Sequence, residues 1–298
     1  MITYSAQVAT DDAYELAEGP VWDPARGRVL WVDIPQGRVV EAALSGDRLE
    51  VTGGHRFPGT VGAVVPTRDA GLLVATGKGF ATVVSDGCVR TGPTVVPGDL
   101  DSRFNDGACD PAGRFLVGSM ALDDREAGER LYRLDPDGSV GVVDEGLTLS
   151  NGLGWSPDGG TLYHIDSVTG TVWARAYDPD SGAVGPRSAL LRVEDGAPDG
   201  LCVDVEGNLW IAIWGAGQVR CLSPEADLIA TVEVPAPHTS SAAFVGPGRD
   251  RLLVTTARKD LSDADLAAFP ASGRLFLADV GTAGVPTTPW AGDSTSFP

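Results

Sequence analysis

Apolar residues along this chain come in short runs of four to six, closed at each end by Gly, Pro, Asp or Asn. Val29–Val32, Gly71–Thr76, Phe115–Gly118, Thr161–Ile165, Leu209–Ile213 and Arg251–Thr256 are the clearest. They are too short and too broken by turns for a helical period, and their composition predicts β-strands. Each follows a turn-rich segment: DPARGR, TRDAG, DPAGR, SPDGG, DVEGN and GPGRDR. Before each turn lies a second short strand that opens on a small residue: GPVWD, GAVVP, GACDP, GLGWS, GLCVD and AAFVG. These openings, at Gly19, Gly62, Gly107, Gly152, Gly200 and Ala242, are 42 to 48 residues apart.

A repeat of that length, made of strands, is one four-stranded propeller blade. The pattern therefore predicts an all-β chain, a six-bladed β-propeller with four antiparallel strands per blade, occupying 1–298 as one domain. Segments such as Gly170–Tyr177 and Arg187–Val193 supply the outer strands. The sixth copy shows three strands, ending near Arg274–Asp279. The run Ile2–Ala9, ahead of the first copy, is expected to add the missing outer strand and close the ring. One helical turn is predicted at Ser262–Ala268, with Ser262 as its cap.

Composition agrees with this punctuation. Gly (39) and Pro (21) make up about a fifth of the 298 residues, against roughly 12% in ordinary chains. The hydrophobic content of 43% is too high for a disordered chain. A formal charge of −19 disfavours nucleic acid and anionic membrane surfaces as partners. It favours divalent cations and the departure of anionic products. No apolar stretch is long enough to span a bilayer, and Met1–Gly19 lacks the basic and apolar regions of a secretory signal. Cys88, Cys109, Cys202 and Cys221 are scattered without a CxxC pair, so free thiols and a cytoplasmic location are expected. Nothing in the sequence calls for an obligate protein partner.

Propeller geometry brings the residues just before each inner strand to one mouth of the central channel. Those residues are Glu18, Val61, Asp106, Asn151, Asp199 and Ser241. Carboxylates crowded in a channel repel one another unless a cation intervenes. Glu18, Asn151 and Asp199 offer only oxygen donors with two negative charges, which suits a hard divalent ion. The competing assignment makes them strand-end caps bonded to backbone. In SRFNDG of the third copy, Arg103 and Asn105 add a fixed cation and an amide that can orient hydroxyl and carbonyl oxygens. The ends of the second strands give Asp33, Thr76, Asp123, Asp166 and Trp214 as rim candidates. His55, His164 and His238 form no zinc motif, with His164 expected in the core. No GxSxG elbow and no GxGxxG fingerprint are present. Trp22, Trp31, Trp155 and Trp210 are expected to pack between blades.

The mouth motifs resemble the senescence marker protein, regucalcin and gluconolactonase family. The resemblance is carried by AEGPVWDPARGRVLWVDIP, RFNDGACDPAGRFLVGSM, SNGLGWSPDGGTLYHIDS, PDGLCVDVEGNLWIA and HTSSAAF, in that order along nearly the whole chain. It implies one divalent cation in the channel, calcium first, with manganese, magnesium, zinc or ferrous iron as alternatives. It also implies hydrolysis of a sugar lactone to the aldonic acid by metal-activated water. Glu18, Asn151 and Asp199 match the family's metal ligands, and Arg103 and Asn105 its substrate-orienting pair. A family glutamate falls at Asp123, one methylene shorter. Asp199 is the general base this mechanism implies. Two other functions compete: the same fold acting on non-sugar lactones or organophosphates, and a non-enzymatic calcium-binding propeller. Arg103 and Asn105 argue against the latter, since an ion buffer has no use for an orienting pair.

Overall fold

Each predicted repeat becomes one antiparallel sheet in the computed structural model, which describes residues 1–123 and 125–297. The inner strands are Ala17–Asp23, Val61–Pro66, Ser102–Cys109, Ser150–Trp155, Ala197–Val203 and Thr239–Val245. They pack side by side in chain order, and the last packs against the first, so six blades close a ring. The second strands are Arg28–Asp33, Leu72–Thr76, Phe115–Ala121, Thr161–Asp166, Leu209–Trp214 and Arg251–Thr256. Each pairs antiparallel with its inner strand. The architecture is thus a six-bladed β-propeller.

The sheet topology shows how the small residues and the turn aspartates earn their repetition. A Cβ on Gly62 would stand 2.7 Å from the Phe104 and Asn105 carbonyl oxygens. One on Gly152 would stand 2.6 Å from the Asp199 carbonyl oxygen. Glycine there lets neighbouring inner strands approach around the axis. At the turns between first and second strands, Asp23, Asp110 and Asp204 each accept two backbone N–H groups from the turn that follows. These Asx-type bonds fix the hairpin and hence the register behind it.

The N-terminal run closes the ring differently from the expectation. Only Gln7–Val8 pairs with Phe276–Ala278 as the fourth strand of the sixth blade. Ile2–Ser5 instead joins the fifth blade, parallel to Leu228–Glu233, as a fifth strand. The chain steps across at Ala6, which is buried and donates its N–H to the Glu233 carbonyl. Phe276–Ala278 has three residues, so it can template only a short partner, and the rest of the run pairs with the next free edge.

Apolar cores lie between adjacent sheets, as with Phe80, Phe104, Phe115 and Tyr132 between the second and third blades. Trp31 and Trp210 are buried there as expected. The segment after Val280 runs back across the turn face of the ring. It bonds to Val203 and Val205, then to Pro66, Arg68 and Gly113, and buries Trp290 completely. Ser262 caps the helix Asp263–Ala268 through a capping box with Asp265. No helix among the described residues is long and apolar enough to cross a membrane.

Candidate functional site

All six inner strands carry a register shift at the same level, just inside the mouth. The shifts lie between Glu18 and Val21, Val61 and Ala63, Phe104 and Gly107, Asn151 and Leu153, Pro198 and Leu201, and Thr239 and Ser241. A bulge frees side chains from the regular in–out alternation and re-aims them. Here the repeated bulge turns Glu18, Asn105, Asp106, Asn151 and Asp199 toward the axis from four blades.

The resulting cluster is buried and strongly polar. Glu18, Asn151, Asp199, Arg103 and Asn105 are all at most 9% exposed. Burial, with Asp199 and then Asp106 close by, pushes the Glu18 carboxyl well above the usual range. Asp199 is pushed up by burial and by Asp106, against the pull of Arg103 and Asn151. Burial raises Asp106 to about 6, while the Gly107 N–H draws it back. Three carboxyls therefore share one desolvated space with a single guanidinium. Arg103 itself is lowered to about 10 by burial, an effect opposed by Glu18 and Asp199. It makes no ion pair within 4 Å among the described residues; its Nη1 donates to the Phe104 carbonyl at 2.8 Å and to Asn105 Oδ1 at 2.9 Å. Asn105 Nδ2 in turn donates to the Ser150 carbonyl at 3.0 Å and to Asn151 Oδ1 at 3.2 Å.

This bonded chain from Arg103 through Asn105 to Asn151 fixes the amide oxygens. The profile of the SMP-30/Gluconolactonase/LRE-like region matches residues 16–258, which hold all of these groups. The chain belongs to this family. Pentonolactonase XacC of Haloferax volcanii is 36% identical over 285 residues, covering 93% of this chain and 94% of that protein. Regucalcin of Xenopus laevis is 34% identical, covering 98% of this chain and 100% of that protein. Among solved structures, the calcium-binding protein regucalcin from Agrobacterium tumefaciens superposes with a TM-score of 0.89 at 28% identity, covering 97% and 98% of the two chains.

Whether the residues of this SMP-30/gluconolactonase-family mouth fit a divalent cation can be tested on their donors. Asp199 Oδ1 is buried with no hydrogen-bond partner among the described residues. In a buried site such an orphaned acceptor is costly, and a cation satisfies it. Two carboxylates and an amide oxygen form a hard donor set, so Glu18, Asn151 and Asp199 fit calcium-like chemistry. No group of three His, Cys, Asp or Glu among the described residues is placed to hold a metal ion, although Glu18, Asp106 and Asp199 act on one another electrostatically.

The other sequence candidates separate. Asp33 is buried and accepts the N–H groups of Leu16 (3.1 Å) and Glu15 (3.4 Å). Asp166 does the same for Thr148 (3.0 Å) and Leu149 (3.1 Å). Both clamp the loop entering their own blade and are not rim ligands. Thr76 Oγ1 bonds the Gly79 carbonyl within its turn. Asp123 stands at the exposed rim, 3.2 Å from Arg125 Nη1, and touches none of the buried group. Trp214 is half-buried, packed against the apolar core between the first two blades, and stacks on His238 with ring centroids 4.1 Å apart.

One supporting residue escaped the sequence reading. Ser167 Oγ accepts from Asn151 Nδ2 at 3.0 Å and donates to the Pro198 carbonyl at 2.6 Å, orienting the amide oxygen inward. Its place one residue after the second strand of the same blade was the available signal. His164 lies in the core as expected, with Nε2 2.7 Å from Ser150 Oγ, beneath the strand that carries Asn151.

Proposed function

We propose that this protein is a divalent-cation-dependent lactonase that opens sugar lactones to aldonic acids, with calcium as the cation. The observation that carries the reading is the pairing of an unpartnered buried carboxylate, Asp199 Oδ1, with the fixed Arg103–Asn105–Asn151 chain beside it. The names of the relatives, a pentonolactonase and a calcium-binding regucalcin, support it.

Glu18, Asn151 and Asp199 would hold the cation. When bound, it polarises the ester carbonyl and acidifies water. Arg103 has guanidinium N–H groups left over beyond its bonds to Phe104 and Asn105. Directed at the mouth, they bind the lactone oxygens and stabilise negative charge developing on the carbonyl. Asn105, clamped by three hydrogen bonds, fixes the orientation of that pair. Asp199 receives the proton of the attacking water on the carboxylate oxygen that does not hold the cation. Burial and the Asp106 carboxylate hold Asp199 above the usual carboxylate range, which offsets the acidifying pull of a neighbouring cation. Asp123, at the rim, accepts hydrogen bonds from ring hydroxyls of a polyhydroxylated substrate. The product is an anion, and Glu18, Asp106 and Asp199 together repel it from the channel.

The test is proton release from a panel of aldonolactones, with chelator and calcium add-back. Chelation should abolish turnover and add-back restore it. Asn151→Ala and Asp199→Ala should each lose turnover together with the calcium-induced rise in melting temperature. Undiminished hydrolysis in either variant, or turnover indifferent to chelator, overturns the proposal.

A further inference from the structure

The channel does not end at the buried cluster. Behind it, toward the turn face, lies a cavity of about 350 Å³ to which all six inner strands contribute. Part of its wall is the C-terminal segment at residues 284–288, which lies across the turn face. That volume is within the range of small-molecule sites. Its walls are mainly apolar, with Trp22, Trp155 and Phe244 alongside Leu153, Leu201 and Val285, and serine and threonine residues add a polar share.

One lining residue alone among those described carries a formal charge: Asp106. Its carboxylate accepts the N–H of Gly107 at 2.8 Å and has no Lys, Arg or His within 4 Å among the described residues. The charged groups that act across it, Glu18 and Asp199, are acidic as well. Arg103 is engaged on the mouth side with Phe104 and Asn105. An unpaired carboxylate at the end of an aromatic-walled space is chemically complementary to a cation with an apolar body. The carboxylate supplies the countercharge and the rings supply cation–π attraction. A neutral apolar guest would leave Asp106 desolvated without compensation, and an anion would be repelled.

We propose that the back of the channel is a second small-molecule site, distinct from the lactone-binding mouth, that takes an organic ammonium ion of compact aromatic or aliphatic body with its charge against Asp106. It stands whether or not the mouth hydrolyses lactones. Because Asp106 also faces Glu18 and Asp199, a cation at the mouth and an ammonium ion at the back repel each other. Each weakens binding of the other by the same factor.

Isothermal titration of the full-length protein with 2-phenylethylammonium, 2-phenylethanol and phenylacetate reads the proposal directly, without any turnover. The ammonium ion should bind at least about tenfold more tightly than the alcohol, a gap of about 1.4 kcal/mol, and phenylacetate should not bind. Asp106→Asn, nearly isosteric, should erase the preference for ammonium over alcohol. Cys109 and Cys202 line the same cavity, so bound ammonium should also slow their modification by methyl methanethiosulfonate in the wild-type protein. Equal binding of ammonium and alcohol, an Asp106→Asn protein that keeps the preference, no saturable binding at millimolar ligand, or unprotected thiols would each overturn it.

Discussion

The side chain of His164 should make the stability of this protein fall on mild acidification, by an amount set by its environment. The ring is wholly buried in the second strand of the fourth blade. Its Nε2 meets Ser150 Oγ at 2.7 Å, and its Nδ1 has no partner among the described residues. Burial lowers its pKa from 6.5 to about 3; Asp144 opposes the shift and Arg175 and Arg187 add to it. The imidazole is therefore neutral in the folded protein across the mild acid range, whereas in the unfolded chain it takes up a proton below pH 6.5. A depressed folded pKa contributes stability that is present above the unfolded value and lost as pH falls toward the folded one. Going from about pH 7.5 to about pH 5 spans roughly 1.5 units below the unfolded pKa, worth about 2 kcal/mol. The assay is urea unfolding of the wild type and of His164→Asn at both pH values. His55 and His238 are common to the two proteins, so their titration cancels in the difference. The advantage of the wild type over the variant should shrink by about 2 kcal/mol at the lower pH. A difference that does not change with pH would mean that the folded protein accommodates a charged His164, and the burial argument would fail. Ser150 also offers its carbonyl to Asn105, so the same variant should weaken lactone turnover at neutral pH while the protein remains folded.

Further outcomes follow from the packing. Gly152→Ala places a Cβ 2.6 Å from the Asp199 carbonyl oxygen, so the two inner strands must part. A stability loss of about 1–3 kcal/mol is expected, and calorimetry should show weaker calcium binding than wild type; unchanged affinity would show that strand spacing does not set the site. Trp290 is completely buried against the second and third blades, so Trp290→Ala should cost about 3–5 kcal/mol in urea unfolding. Trp290→Phe should cost less, and a negligible loss in Trp290→Ala would mean that the C-terminal segment is not anchored there.

The repeat, and through it the fold, was legible because each blade buries its own strands against the next with the same local chemistry. Glycine openings, Asx turns and short apolar runs recur at one spacing, and each is a local property of the chain. The same spacing selected Glu18, Asn151 and Asp199 and put Asp106 in the ring. What the chain could not reveal is which carboxylates are spent on backbone. Asp33, Asp123 and Asp166 all sit at or just beyond the ends of second strands. Two of them clamp N–H groups of the loop entering their own blade, while Asp123 stays at the rim. That division depends on where a preceding loop returns in space, which no residue pattern within the strand encodes.

The sequence by itself determined the number of blades, the level at which the inner strands open, and the kinds of group brought to the mouth, because these follow from local propensity and a fixed period. Only the tertiary structure decided the rest. It split the N-terminal run between two blades, since Phe276–Ala278 offers too short an edge for all of it. It left Asp199 Oδ1 without a partner among the described residues while giving Asn151 two. It also laid the C-terminal segment across the turn face, so that a cavity with one charged lining residue among those described, Asp106, lies behind the site. Such features depend on which groups the closed ring brings within hydrogen-bonding distance, and that is set by long-range closure rather than by neighbours in the chain.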